Sequence, residues 1–145
     1  MNIPPGFHAV EVESGFSAAN GPWFEKIEDG RLVRGFRPGP QHSNTHGIVH
    51  GGMLAAFLDS AMGSLVWTVI DRRCVTLRLT LDYMVPARVG DWLEAAGEVI
   101  AHDDNVAQVR ARLYGPRHDV LAGHGVFALL RARPPIKSRN VKAGS

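Results

Sequence analysis

The chain has 145 residues, of which 45% are hydrophobic and 21% charged, enough for one soluble globular domain with a sizeable core and too few for two. Its single cysteine, Cys74, excludes an internal disulfide and points to a reducing compartment, where it reads as a small buried hydrophobe rather than a nucleophile. The net charge of +2 does not make a nucleic-acid surface, because Arg131, Arg133, Lys137, Arg139 and Lys142 close the chain with no acid among them and leave a net of −3 on everything before.

Residues 1–21 carry Pro4, Pro5, Gly6, Gly15 and Gly21 and read as an irregular arm with one helical turn. No cationic segment followed by an apolar run stands there, so a cytoplasmic location is expected. A single domain is expected over residues 22–131, followed by a basic, solvated tail over 132–145. Asp29-Gly30, between two short runs rich in apolar residues, is a hairpin signal. Pro38-Gly39-Pro40 ends the second strand, and a polar loop follows through His42, Asn44, His46 and Gly47.

Gly51 to Ile70 is almost wholly apolar, with Asp59 as its only charge. Its length would span a bilayer, but its glycines and alanines and the mid-segment carboxylate argue against that, so no membrane partner is expected. A helix apolar all round fits equally the centre of a sheet that wraps it. From Val75 to Tyr83 the period becomes two: odd positions are apolar, even ones polar. That alternation predicts a strand with its odd side chains toward the helix, and it puts Thr76 on the polar face with Arg78, Thr80 and Asp82. Strands are predicted over Trp92–Ala101, Val106–Tyr114 and Val120–Leu130, in an antiparallel meander. The order predicts an α+β domain in which a curved antiparallel sheet wraps one long central helix. One helix cannot cover both faces of such a sheet, so association with a second copy is expected.

Asp59 is the residue that costs most to keep, since a buried carboxylate needs either a structural partner or a function. As a functional group it is a general base or a nucleophile. Gly51-Gly52, at the start of the apolar run, leave backbone N–H groups uncovered at the positive end of a helix, where a ligand carbonyl can approach. Eight residues advance a helix by about 12 Å, so Gly51 and Asp59 of one chain cannot reach the same small group. If both act, the site is shared between two antiparallel helices of two subunits. His42, His46 and His50 recur every fourth residue, but glycine and polar residues interrupt them in a loop, and no metal site is expected. Phosphate-loop, dinucleotide and serine-hydrolase motifs are absent from the sequence.

Asn44-x-x-Gly47-x-x-His50-Gly51-Gly52 followed by Asp59, and later Tyr83-Met84-Val85-Pro86-Ala87-Arg88-x-Gly90-Asp91, resemble the PaaI-like branch of the hotdog-fold thioesterases, in the 4-hydroxybenzoyl-CoA thioesterase superfamily. The resemblance covers about residues 22–131. It implies hydrolysis of an acyl-CoA with no cofactor, in a homodimer as minimal unit and commonly a dimer of dimers. It also implies that Asp59 activates water or attacks the thioester, and that the Gly51 amide and the Asn44 side chain bind its carbonyl. Thr76 would place the water beside Asp59 of its own subunit, facing Asn44 and Gly51 of the neighbour. His50 and Gly52 belong to the same substrate-facing signature, with His50 fixing the loop through a ring hydrogen bond. Arg88, Arg72, Arg73 and the basic tail are candidates for the CoA phosphates by charge alone, and Met53, Phe57, Met62 and Trp67 are candidates for the acyl pocket. The alternative is a non-catalytic acyl-CoA-binding or sensing module on the same fold, which Asp59 disfavours. A hydratase would resemble an Asp-x-x-x-x-His pairing, which does not follow Asp59.

Overall fold

The computed structural model of the protein describes residues 1–11 and 14–131. The basic tail expected over 132–145 lies outside the described residues. In chain order the elements are β1 (His8–Ala9), α1 (Gly15–Asn20), β2 (Trp23–Glu28), β3 (Arg31–Phe36), a 3-10 turn (Pro40–His42), α2 (Gly51–Ile70), β4 (Cys74–Tyr83), β5 (Leu93–His102), β6 (Val106–Tyr114) and β7 (Asp119–Leu129). The N-terminal arm is tied to the sheet by the pairing of β1 with β2, and within it α1 starts at a Ser14–Ser17 capping box.

The β2–β3 hairpin turns through Asp29 (φ 51°) and Gly30 (φ 74°), the pair of left-handed residues that a tight two-residue hairpin requires. All strand pairs are antiparallel, in the order β1-β2-β3-β5-β6-β7-β4. The expected meander therefore holds only for β5, β6 and β7. β4 follows the helix but pairs with β7, not with β5, because α2 carries the chain across the sheet to its far edge. The second edge of β4 pairs with no strand among the described residues.

Helix α2 lies across β3, β4, β5, β6 and β7, which wrap it from one side. Leu54, Phe57, Leu58, Met62 and Val66 recur at helical spacing and are almost wholly buried, meeting Phe36, Leu93, Val109, Leu113 and Phe127 from the sheet. By length and composition α2 could cross a membrane; here its buried stripe is the core of the domain. The helix comes close to β7 because that strand presents Gly123 and Gly125. A Cβ on Gly123 would stand 2.9 Å from Leu58, and one on Gly125 2.5 Å from Phe127 and 2.9 Å from Met62. The opposite side of α2, with Gly52, Ala56, Asp59, Ser60, Ser64 and Trp67, is not covered by the sheet, and Trp67 is 51% exposed.

β4 departs from its own pattern at one place. Thr76 pairs with Phe127 but Arg78 pairs with Val126, so Leu77 is an extra residue, a β-bulge. One added residue inverts the parity of a strand. Leu79, Leu81 and Tyr83 face the helix as the alternation predicts, but before the bulge the inward residues are Cys74 and Thr76. The expectation that Thr76 shares the outer face with Arg78 is overturned by this insertion.

We expect Gly125→Val to destabilise the domain by about 1–3 kcal/mol in chemical denaturation, since Phe127 and Met62 must leave their rotamers to admit the side chain. Gly15→Val, at a position with no atom within 4 Å of the added Cβ, is the control and should leave the stability nearly unchanged, since valine is no worse a helix former than glycine.

Candidate active site

The loop before α2 is built by Asn44. Its Oδ1 accepts the backbone N–H groups of His46 (2.9 Å) and Ile48 (3.4 Å), while its own N–H donates to the Ile48 carbonyl at 2.8 Å. These bonds turn the amide oxygen inward and leave the Nδ2 donor without a partner among the described residues. The loop is anchored to the chain after β4 by the Ile48–Arg88 bridge and by Val49 N–H donating to Ala87 at 2.9 Å.

His50 is the N-cap of α2, and its Nδ1 accepts the Gly52 N–H at 2.8 Å. That bond uses the Gly52 amide. The Gly51 amide has no acceptor among the described residues, so of the two glycines Gly51 keeps a free donor at the helix N-terminus. Sequence reasoning missed a residue here: the Tyr83 hydroxyl donates to the Gly51 carbonyl at 2.6 Å, and its ring would stand 3.3 Å from a Cβ at Gly51. The only available sign was its place in the motif that ends β4. The three histidines share no site. His42 is buried, stacks edge-on against Phe36 and accepts the Gly39 N–H, while His46 and His50 are exposed. Burial pushes the His42 pKa down, opposed in part by the Asn20 carbonyl. No group of three metal-binding side chains occurs among the described residues.

Asp59 lies at the border of the uncovered side of α2 and is half-buried rather than buried, because β4 reaches it from one side only. The Thr76 hydroxyl donates to its Oδ1 at 2.6 Å, across the gap between α2 and β4. Cys74, two residues before Thr76, faces the same gap, with its thiol 3.9 Å from the Gly63 carbonyl. Burial, and secondarily the Asp59 charge, push the Cys74 thiol up, which keeps it protonated near neutral pH. A cavity of about 650 Å³ runs along α2 from the turn after Asp59, bounded by Ser60, Gly63, Ser64, Trp67, Arg34 and Cys74. Met53, Phe57 and Met62 are in the core, so Trp67 alone of the four pocket candidates lines it. A larger cavity of about 890 Å³ lies on the outer face of the sheet, where Arg110 pairs with Glu98 and Arg112 with Asp119. None of the expected site residues lines it.

The single chain therefore joins Asp59 to Thr76, while the Gly51 amide and the Asn44 loop lie apart from that pair, at the N-terminus of α2. The sequence profile of the Thioesterase superfamily matches residues 46–122, which include both Gly51 and Thr76. The chain belongs to the Thioesterase superfamily. It is 34% identical over 132 residues to "Putative esterase PA0474" of Pseudomonas aeruginosa, covering 89% of this chain and 98% of that one. Among solved structures it resembles the BH2602 protein of Bacillus halodurans, determined with CoA (28% identity, 75% of this chain, 74% of that one, TM-score 0.68). It also resembles a variant of the phenylacetic acid degradation protein PaaI of Thermus thermophilus (25% identity, 81% and 100%, TM-score 0.71). The fold is that of the hotdog thioesterases, and the superfamily is one of hydrolases.

Alkylation of Cys74 followed against pH is expected to set in above the range of a free thiol, because the raised pKa delays the thiolate. Replacing Asp59 by Asn removes the charge contribution and moves the profile to lower pH; an unmoved profile would mean that the carboxylate does not act on the thiol.

Proposed function

We propose that this protein hydrolyses an acyl-CoA thioester to the free acid and CoA, at a site completed by a second copy of the chain. The observation that carries the reading is the Thr76–Asp59 pair, a hydroxyl and a carboxylate joined at the open side of α2 in a chain of the Thioesterase superfamily. The Thr76 hydroxyl leaves the second carboxylate oxygen of Asp59 available. As general base, Asp59 takes a proton from water as its oxygen adds to the thioester carbon. The oxyanion then forms against the Gly51 amide and the Asn44 Nδ2 of the neighbouring chain. Collapse breaks the carbon–sulfur bond, and the proton held by Asp59 goes to the departing thiolate. As nucleophile, Asp59 would form the acyl anhydride instead, with water cleaving it in a second step. Either route needs no metal or organic cofactor, because a thioester is already activated.

Three features support a dimer. Asp59 and Gly51 are separated by two turns of one helix, about 12 Å. The outer edge of β4 is unpaired among the described residues, and beside it Val75 is 49% and Leu77 60% exposed. The uncovered side of α2 is largely made of small residues, over which a second helix can lie closely. Pairing β4 with β4 of a second copy would join both edges and set two α2 helices antiparallel. A dimer of dimers is the expected higher assembly. The acyl group would occupy the cavity beside Trp67.

The test is thiol release from short, medium, long and aryl-acetyl CoA esters. Asp59→Asn should lower kcat by about 100-fold or more, the usual worth of a positioned base. Hydrolysis of none of the esters, with binding retained, would instead favour an acyl-CoA-binding module. Shared sites make a sharper prediction. Mixing Asp59→Asn with Asn44→Ala chains should restore about a quarter of the wild-type rate, since half the dimers are mixed and each has one intact site. Sites contained in one chain would give no restoration.

A further inference from the structure

The first turn of α2 opens on two glycines, the residues that lose most backbone freedom on entering a helix. The N–H groups of that turn have no carbonyl four residues back to bond, so it has little of its own to hold its shape. Its polar groups are nevertheless almost all engaged. The His50 N–H donates to the His42 carbonyl at 2.8 Å, and the His50 carbonyl accepts the N–H groups of Met53 and Leu54 at 3.0 and 3.2 Å. The peptide that joins Gly51 to Gly52 is held at both ends. Its oxygen accepts the Tyr83 hydroxyl at 2.6 Å, and its N–H donates to His50 Nδ1 at 2.8 Å.

A peptide group is planar, so bonds on opposite edges fix the plane as a unit. They also reinforce each other, because a carbonyl that accepts a hydrogen bond makes the N–H of the same peptide a stronger donor. The preceding peptide, whose N–H is that of Gly51, is held at the His50 carbonyl. The Gly51 Cα joins the two planes, and with both held its dihedrals are set, although glycine by itself leaves them free. The direction of the Gly51 N–H, which has no acceptor among the described residues, is set with them.

Of these holds, only Tyr83 comes from outside the segment between His42 and Leu54. It stands 32 residues further along the chain, at the end of β4, where it pairs with Leu121 and the next N–H, of Met84, donates to the Val120 carbonyl at 2.9 Å. A side chain seated on the sheet thus gives a soft turn a rigid reference. We propose that Tyr83 is a positioning residue: its hydroxyl pins the Gly51–Gly52 peptide and so keeps the Gly51 amide aimed at the thioester carbonyl. The proposal rests on the thioesterase reading for the carbonyl, though not for the pinning. The gain falls on the transition state, where the oxygen carries charge and the direction of a donor counts most.

Tyr83→Phe keeps the ring and removes the hydroxyl. By NMR on the full chain, the Gly52 amide should exchange with solvent about tenfold faster in this variant, the size of one lost hydrogen bond, while the amides of β6 keep their rates. On a CoA ester that the wild type cleaves, kcat should fall about tenfold with KM unchanged within about twofold, because the donor acts on charge that develops in the transition state. A merely structural contact would lower the melting temperature and spare the kcat of the folded enzyme. Tyr114→Phe removes a hydroxyl bonded to Glu94 on the outer face of the sheet and should change neither Gly52 exchange nor kcat. Gly52 exchange or kcat unmoved by Tyr83→Phe, a loss confined to KM, or an equal loss in Tyr114→Phe overturns the proposal. If the wild type cleaves no ester, faster Gly52 exchange in Tyr83→Phe sustains the pinning, and the thioesterase reading alone fails.

Discussion

The contact on which the rest of the structure depends is that of α2 with β7, made close by Gly123 and Gly125. With no side chains between them, Leu58 and Met62 sit directly on the strand and Phe127 closes beneath. This seats the apolar stripe of α2 in the sheet and leaves only one orientation for the helix about its own axis. Asp59, displaced from that stripe by the helical period, then faces away from the sheet centre toward β4. The carboxylate is placed by the packing of its neighbours, and a side chain at either glycine would shift it.

The bulge at Leu77 completes the placement. A regular strand would have put Thr76 on the outer face, and only an inserted residue allows both Thr76 and Leu79 to face the helix. Bulges re-aim side chains at a cost in pairing, and here the cost falls on a strand with one free edge. The exposed Leu77 and Val75, the unpaired edge and the Thr76–Asp59 bond are thus parts of one local arrangement. It both aims the hydroxyl and leaves one edge of β4 without a partner strand among the described residues.

At the other end of α2 the donors are sorted by the loop. Asn44 spends its oxygen on the loop backbone and keeps its amine; His50 takes up the Gly52 amide and spares that of Gly51. Tyr83 reaches from the end of β4 to the Gly51 carbonyl, so one strand holds α2 at two places, Asp59 through Thr76 and Gly51 through Tyr83. Any shift of β4 against α2 would be felt at both.

Much of this was legible in the sequence. The hairpin at Asp29-Gly30, the bounds of α2 and β6, and the buried alternation of Ala107, Val109, Ala111 and Leu113 follow from local periodicity and turn chemistry, which neighbours in space do not alter. So does the ordered motif from Asn44 through Asp59, because a chain signature is local by nature. The sheet order was not legible, since the period of a strand says which face is buried but not which strand lies beside it. The parity of Thr76 was not legible either: a bulge is defined by the partner strand, and Val75 to Tyr83 alternates without interruption in the sequence. The half-burial of Asp59 and the role of Tyr83 are likewise distances between segments remote in the chain. Local pattern determined the elements and named the candidate residues. Only the packing of α2 on β7, and the extra residue in β4, decided which of them could touch.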